Sequence, residues 1–574
     1  MSFRSLTPAF SVSPQLSIAD MDKAAAEGFK TVVCARPDDE QAGQLPAYDL
    51  KRAAHERGMS FATIPIPSGS IPDEAAVDYM RETLAAASGP VLAYCQGGGR
   101  AARLWALAQA GRMPADAILA AGETAGIDLS LLTPFLPPTV EPEPTAEEQA
   151  GTAAKTVRVR TRKPAHHFNV VIAGGGAAGL ATAASILRRR RGISVVIVEP
   201  SASHFYQPGW TLVGGGVFTP EQTKRSEAGL IPPGATWVQQ AVAGFMPHQR
   251  QVALDDGTLL SYDVLVVATG LMLDWASIPG LAATLGRNGV TSNYRYDLAP
   301  YTWRLVQALK RGTALFTQPP MPIKCAGAPQ KAMYLACDAW RRRGILNDMR
   351  VGFDTATPAL FGVAPFVPAL MTYIERYGID LHLRSKLVAV DGERRVATFE
   401  RTTEEGTTRT DRQFDMLHVV PPQVAPPVVS GSPLAGADGF VAVNPATLRH
   451  TGFDDVFALG DVAGTTNAKT AAAVRKQAPV VAVNVLAALD GKPPVATYDG
   501  YGACPLTVER GRIVLAEFGY GGRLEPTLPQ WLLRGTEPTR LAWFLKEKIM
   551  PPLYWNAMLR GHELMVAPRV TQEA

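Results

Sequence analysis

FNVVIAGGGAAGLATAASILRRRRGISVVIVEP, residues 168–200, is the stretch on which the fold turns. Phe168 to Ala173 is an unbroken apolar run of strand character. Gly174, Gly176 and Gly179 then form GxGxxG, and Ala177 and Ala178 open an alanine-rich helical pattern. A second apolar run closes on Glu199, twenty residues beyond Gly179. A lone GxGxxG is weak evidence, but a strand before it, a helix after it and an acid at this distance make it specific. The first glycine permits the turn, the second lets a pyrophosphate approach the backbone, and the third lets helix and strand pack closely. Helix N-terminal N–H groups would hold the phosphates, and Glu199 would accept from ribose hydroxyls. The rest of the chain alternates strand and helix patterns, so the expected class is α/β with tandem Rossmann-like domains.

Immediately upstream, residues 137–167 read PPTVEPEPTAEEQAGTAAKTVRVRTRKPAHH, rich in Pro, Glu, Thr and Ala and without hydrophobic periodicity. That composition predicts an extended, solvated linker over 136–166. Residues 1–135 then form a separate small α/β domain. Its helices are expected over Ser17–Gly28 and Asp73–Ala87, and its strands at KTVVCA (from Lys30), SFATIPI (Ser60 to Ile66) and PVLAYC (ending at Cys95). Downstream, residues 167–495 are expected to be the dinucleotide-binding oxidoreductase and 496–574 a C-terminal interface segment.

Two later strands favour FAD over NAD. YDVLVVATG ends at Thr269-Gly270. DVFALGD ends at Gly460-Asp461, before a helix pattern carrying Lys469-Thr470-Ala471. An acid at a strand end, facing a helix N-terminus, suits ribityl hydroxyls and the pyrimidine edge of a flavin; an Asp there can also be a simple helix cap. A nicotinamide-dependent reductase would carry a second glycine fingerprint after GTALFTQ (Gly312 to Gln318). The chain instead reads PPMPIKCAGAPQKAMYLACDAW, with Cys325 beside Lys324 and before a helix that carries Lys331. Ammonium groups and a helix N-terminus favour a thiolate, although a buried inert cysteine fits the same residues.

These residues carry a family resemblance. HFYQPGWTLVGGG (204–216), IKCAGAPQKAMYL (323–335), MLHVVPP (416–422), KTAAAV (469–474), YDGYGACPL (498–506) and MPPLYWNAMLRG (550–561) resemble the mitochondrial-type sulfide:quinone oxidoreductases. The resemblance implies FAD, oxidation of sulfide or another small sulfur donor, transfer of electrons to quinone and contact with a membrane surface. It implies Cys325 as the flavin-side cysteine, with Gln207 and Lys469 near the FAD and Pro421 near its isoalloxazine. The family pattern places a second redox cysteine directly after the Gly-Asp of the flavin strand, where this chain has Val462. Another thiol must then complete the pair, or the donor is different. Cys337, two to three helical turns beyond Cys325, is badly placed, and Cys504 is no obvious replacement.

In the first domain, Cys95-Gln-Gly-Gly-Gly-Arg100 lies between a strand and the helical pattern AARLWALAQA. A ring of N–H groups at a helix N-terminus, closed by an arginine, stabilises an anion on the cysteine; a plain structural turn is the alternative. Four residues between Cys and Arg lean towards a rhodanese-like persulfide loop rather than a tyrosine-phosphatase-like one. The segment also resembles the phosphatase-like domain fused to beta-lactamase-like sulfur hydrolases, in which Arg and Ser usually stand at the positions of Gln96 and Gly97. Asp73 is either a general acid or the cap of its helix. Cys95 is expected to accept the sulfane sulfur and is a candidate for the missing thiol, with a small thiol as onward acceptor. A flavin–thiol quinone reductase for another donor and a redox-regulated phosphatase-like protein stay open.

Bulk composition sets the remaining limits. A chain of 574 residues with 47% hydrophobic and 19% charged residues is globular and multidomain. A net charge of +4 without a basic, aromatic-studded stripe argues against nucleic acid. Five irregularly spaced cysteines (Cys34, Cys95, Cys325, Cys337, Cys504) imply neither a metal site nor a disulfide framework. No signal segment or spanning run is read, so a cytoplasmic, peripheral protein is expected. AWFLKEKIMPPLYWNAMLRG (542–561) gathers aromatic and aliphatic residues flanked by Lys546, Lys548 and Arg560, which suits a membrane interface or a buried core.

Overall fold

Residues 3–38, 40–41, 44–67, 70–72, 74–87, 89–110, 113–136, 166–404 and 406–570 are described by a computed structural model. They fall into two compact units, Met1–Lys163 with the short stretch Ala253–Thr258, and Pro164–Val252 with Leu259–Ala574. The linker expected over 136–166 lies outside the described residues except at its two ends, and so does Asp73.

In the first unit, short apolar runs become one five-stranded sheet. Its order is Arg4–Thr7, Phe10–Ser13, Val91–Tyr94, Thr31–Cys34, Ser60–Thr63, parallel apart from the first hairpin. Burial on both faces explains why Thr31–Cys34 and Val91–Tyr94 lack polar alternation. Trp105 and Phe10 lead the cluster on one face; Tyr94, Leu50 and Met21 lead that on the other. Trp105 stacks on Phe10 at 5.7 Å, a burial worth roughly 2–3 kcal/mol. The expected first helix runs over Ile18–Ala26, started by a capping box in which Ser17 and Asp20 exchange hydrogen bonds.

The second unit opens with the fingerprint. Strand His167–Ala173 lies between Val195–Val198 and Leu259–Val267, and Val456–Ala458 joins the far side of Leu259–Val267, all parallel. Helix Ala177–Arg189 packs against helix Ala471–Leu489. A second parallel sheet, ordered Val290–Thr291, Met416–His418, Gly312–Gln318, Met349–Thr355, Asp380–Leu383, forms the other Rossmann-like layer. Against it packs helix Ala328–Arg342, whose Trp340 is fully buried and donates to Val306 O at 2.9 Å. The strands Gly502–Glu509 and Arg512–Phe518 follow near the C-terminus, and the first packs on the same helix.

One expectation about membranes changes. Among the described residues, Ala471–Leu489 is long and apolar enough to cross a bilayer. Its apolar window is 67% buried, and it serves as a core helix of the flavin half.

Candidate functional site

The glycine turn has the shape of a dinucleotide cradle. A Cβ on Gly179 would stand 1.9 Å from Gly174 O, and one on Gly174, at φ +108°, would stand 2.5 Å from Ala268 O. Only glycine satisfies either position. At Gly176 nothing lies within 4 Å, so this side of the turn is open. Glu199 accepts from Gly175 N–H and Ser201 N–H, each at 2.8 Å, which fixes its carboxylate beside the turn. The Thr269 hydroxyl is buried without a protein partner, as expected of a group awaiting a polar ligand. Gly460 adopts φ +76°, and its N–H is held by Gln477 Oε1 at 2.9 Å. These features fit a bound FAD.

Asp461, Lys469 and Cys325 come together around this cradle. Lys469 Nζ donates to the carbonyls of Asp461 (2.7 Å) and Ala463 (2.9 Å) and lies over the Phe440 ring. Lys469 O accepts from Cys325 N–H at 2.8 Å. Burial raises the Asp461 carboxyl, opposed by Lys324 and Lys469, and lowers the ammonium of Lys469 and of Lys324. Gln207 accepts a hydrogen bond from Lys324.

Cys325 sits at φ +50°, a left-handed conformation that is costly for a side chain. Its carbonyl takes Ala328 N–H at 2.7 Å and the Tyr294 hydroxyl at 3.2 Å, so the turn is pinned from both sides. The thiol then meets Cys504: its Sγ, from strand Gly502–Glu509, stands 3.8 Å from Cys325 Sγ. Gly327 makes the approach possible, because a Cβ there would lie 2.6 Å from Cys504 Sγ and 2.2 Å from Leu506. Lys331 Nζ completes the group, 3.1 Å from Cys325 Sγ. The hydrogen bond from Cys504, followed by the Lys331 ammonium, holds the Cys325 thiol well below its ordinary range against the opposing effect of burial. Cys504 is pushed well above that range by its bond to Cys325 and by burial. Within the pair, Cys325 is thus the thiol favoured for ionisation and Cys504 the one held protonated.

Cys504, which the sequence offered as no obvious replacement for a missing thiol, thus faces Cys325 across one van der Waals contact. Val462 is fully buried in the Gly460–Val462 turn. Cys337 is fully buried, and burial raises its thiol above the ordinary range, as expected of an inert core cysteine. A third cation was also underread. Lys546 is buried, donates to Pro208 O at 3.0 Å, and is lowered to about 7 by burial and by the neighbouring Lys331.

The C-terminal apolar stripe divides in two. Tyr554, Trp555, Met558 and Leu559 are buried, with Tyr554 and Trp555 against Tyr206 and His204. Phe544 (51% exposed) and Ile549 (42%) face outwards, as does Trp531 (85%) in a preceding loop.

In the first unit Cys95 is only 1% exposed, and its Sγ accepts Gly98 N–H at 3.1 Å. Gly98, at φ +90°, turns the chain into helix Gly99–Gln109. Arg4 closes the outside of the loop through Gly97 O at 2.6 Å. Arg100 is buried and already paired: Nη1 and Nη2 reach the two oxygens of Glu40 at 2.6 and 2.7 Å, and Nη1 also reaches Ile66 O. Arg36 binds the same carboxylate at 2.6 Å. Arg100, ahead of Arg36, holds the Glu40 carboxyl below its usual range. Glu40 is a site residue that the Cys-x4-Arg spacing could not reveal.

A two-dinucleotide-domain flavoprotein oxidoreductase with a cysteine pair beside the flavin cradle is the class that this fold and site define, and its cofactor is FAD. A family model described as pyridine nucleotide-disulphide oxidoreductase matches residues 168–307. The chain is 41% identical over 369 residues to the Dictyostelium discoideum mitochondrial sulfide:quinone oxidoreductase, covering 64% of this chain and 80% of that protein. It is 37% identical to the Mus musculus protein of the same name, covering 64% and 81%. The chain belongs to the sulfide:quinone oxidoreductase family. The crystal structure of the Aquifex aeolicus sulfide:quinone oxidoreductase shares the fold at TM-score 0.58 and 17% identity, covering 70% of this chain and 92% of that one. The N-terminal unit matches a second family model, beta-lactamase hydrolase-like protein, phosphatase-like domain, over residues 2–112. There the chain is 39% identical over 127 residues to the Agrobacterium fabrum beta-lactamase hydrolase-like protein, covering 22% of this chain and 29% of that protein.

Proposed function

We propose that the flavoprotein unit oxidises sulfide to sulfane sulfur at Cys325 and Cys504 and delivers the electrons to a quinone. The observation that carries this reading is the 3.8 Å approach of the two sulfurs, with one of them 3.1 Å from a buried ammonium. In the oxidised state the two cysteines form a disulfide. Hydrosulfide attacks Cys504 Sγ, the S–S bond breaks, and the electron pair goes to Cys325, whose thiolate Lys331 stabilises. This leaves a persulfide on Cys504. An acceptor thiolate attacks its outer sulfur, taking the sulfane sulfur and leaving the Cys504 thiolate. Reforming the disulfide releases two electrons; the chemistry FAD would supply, held at the Gly174–Gly179 turn, is uptake of that pair for delivery to the quinone.

Cys95 is proposed as that acceptor thiol, with a small thiol taking the sulfur onward. The carboxylate already seated on Arg100 supports sulfur over phosphate chemistry, since a phosphate dianion would have to compete with Glu40. We assign residues 1–135 to this sulfur-handling domain, 136–166 to the linker, 167–495 to the oxidoreductase and 496–574 to a segment that completes it. Trp531, Phe544 and Ile549 are proposed to rest on a membrane surface, where quinone is found.

An anaerobic flavin spectrum, titrated with sulfide and then with a short-chain quinone, tests the central claim. Bleaching reversed by quinone is expected, and a flavin unresponsive to sulfide overturns it. Cys95→Ser is expected to keep the flavin response and to lose persulfide from the N-terminal peptide. Unchanged persulfide products would remove Cys95 from the path. Aryl phosphate turnover that changes with sulfide would instead favour a regulated phosphatase.

A further inference from the structure

Glu227 follows strand Lys224–Ser226, which pairs antiparallel with Ser203–Phe205. It is 1% exposed, and its two oxygens have unequal surroundings. Oε2 lies 3.1 Å from His204 Nδ1, whereas Oε1 is buried with no hydrogen-bond partner. The orphaned oxygen faces the glycine turn: a Cβ on Gly175 would lie 2.8 Å from it and 2.6 Å from Glu199 Cβ. Two acids therefore converge on one turn. Glu199 has an N–H on each oxygen, while Glu227 keeps a free acceptor where a dinucleotide ribose would present hydroxyl donors. A buried carboxylate oxygen left unmatched is costly, and the ligand of this turn carries the matching groups.

Glu227 is also wired to the C-terminal segment. His204 Nε2 lies 2.7 Å from the hydroxyl of Tyr554, in Leu553–Ala557. Burial holds the Tyr554 phenol well above its ordinary range, so it remains protonated. In the tautomer that serves an ionised Glu227, Tyr554 O–H donates to Nε2 and Nδ1–H donates to Oε2. The same segment clasps the flavin half elsewhere, through Lys546 on Pro208 O and Arg560 on Gly229 O. Glu563 accepts from Ser185 at 2.7 Å.

We propose that Glu227 is a second acidic ligand of the FAD ribose beside Glu199, and that His204 and Tyr554 position it, so that cofactor and C-terminal segment tighten one another. By linkage the coupling is reciprocal. The proposal rests on the FAD assignment and not on the sulfide reading.

The test is FAD release from the holoprotein on dilution, followed by flavin fluorescence, in the native chain, Glu227→Met, Tyr554→Phe and the double variant. Glu227→Met should release FAD roughly tenfold faster or more, the effect of losing a hydrogen bond to a charged group. Tyr554→Phe should speed release about threefold in the native background and not at all in Glu227→Met, since it acts through the carboxylate. Native-like release from Glu227→Met overturns the ligand role. Equal acceleration by Tyr554→Phe in both backgrounds overturns the coupling and reduces the tyrosine to packing. If Glu227→Met does not fold, Glu227→Asp keeps the carboxyl group but withdraws the oxygen. It should also release FAD faster, and unchanged release overturns the proposal. Sulfide turnover enters none of these readouts, so failure here leaves the reaction assignment standing.

Discussion

Replacing Lys331 by methionine removes one full charge from the thiol pair while keeping the length of the side chain. Lys331 Nζ and Cys325 Sγ are 3.1 Å apart, and Lys331 is buried. Two unit charges near 4 Å interact by about 4 kcal/mol at an effective dielectric of 20. With part of that recovered by relaxation, a loss of about 3 kcal/mol shifts the thiol–thiolate equilibrium roughly 100-fold towards the thiol, which moves its titration upward by about two pH units. Alkylation of Cys325 by iodoacetamide in the reduced holoprotein, quantified on its peptide across pH, reads that equilibrium directly. The native rate should be nearly flat through neutral pH, and the variant's should climb with pH and reach its plateau about two pH units higher than the native rate does. Stability should follow the same sign. The Cys325 thiol is depressed in the folded chain, so its contribution is fully present above the ordinary thiol range and lost as pH falls through the lowered value. A Lys331→Met protein whose Cys325 alkylates at the native rate would refute the ion pair as the source of activation, leaving the Cys504 hydrogen bond alone.

The remaining predictions concern other links. Gly327→Val should abolish the cysteine pairing, because even a Cβ lies 2.6 Å from Cys504 Sγ; loss of the Cys325–Cys504 disulfide from oxidised protein, by peptide mapping, is the check. Lys546→Met should raise the melting temperature. A lysine lowered to about 7 costs stability fully below that pH and progressively less towards its ordinary range, so the gain, on the order of 3–5 kcal/mol, should be largest at pH 6 and fade by pH 10. Trp105→Ala should destabilise the N-terminal unit by about 3–5 kcal/mol, read by denaturant unfolding, since the ring is fully buried on Phe10. Gly179→Val should yield protein without FAD, read by the flavin absorbance of the purified chain, because the added atoms overlap Gly174 O.

What could be read from the chain followed sequence distance. The fingerprint was legible because strand, turn, helix and acid are contiguous, and each glycine there answers a local steric demand. The Cys95 loop was legible for the same reason. Cys504 was not, since 179 residues separate it from Cys325 and only the packing of strand Gly502–Glu509 on helix Ala328–Arg342 joins them. Glu40 lies 60 residues from Arg100 and belongs to no motif. The stripe from Leu541 onward illustrates a different limit. Apolar spacing tells that a face is buried, not by what: Tyr554 and Trp555 turn to the protein, Phe544 and Ile549 turn away. Lys546 read as a flanking surface cation because burial of a lysine is a tertiary fact.

Val462 looked like a broken relay only while the second thiol was sought next to the flavin strand. The geometry brings a different thiol to Cys325, that of Cys504 on strand Gly502–Glu509. Gly502–Glu509 supplies Cys504, the helical stretch after Arg540 supplies Lys546, and Leu553–Ala557 supplies the tyrosine that reaches Glu227. One stretch of chain thus touches the sulfur site, the flavin cradle and, through Phe544 and Ile549, the exterior. Sequence that reads as a membrane-facing segment also packs beside the cysteine pair and the glycine turn.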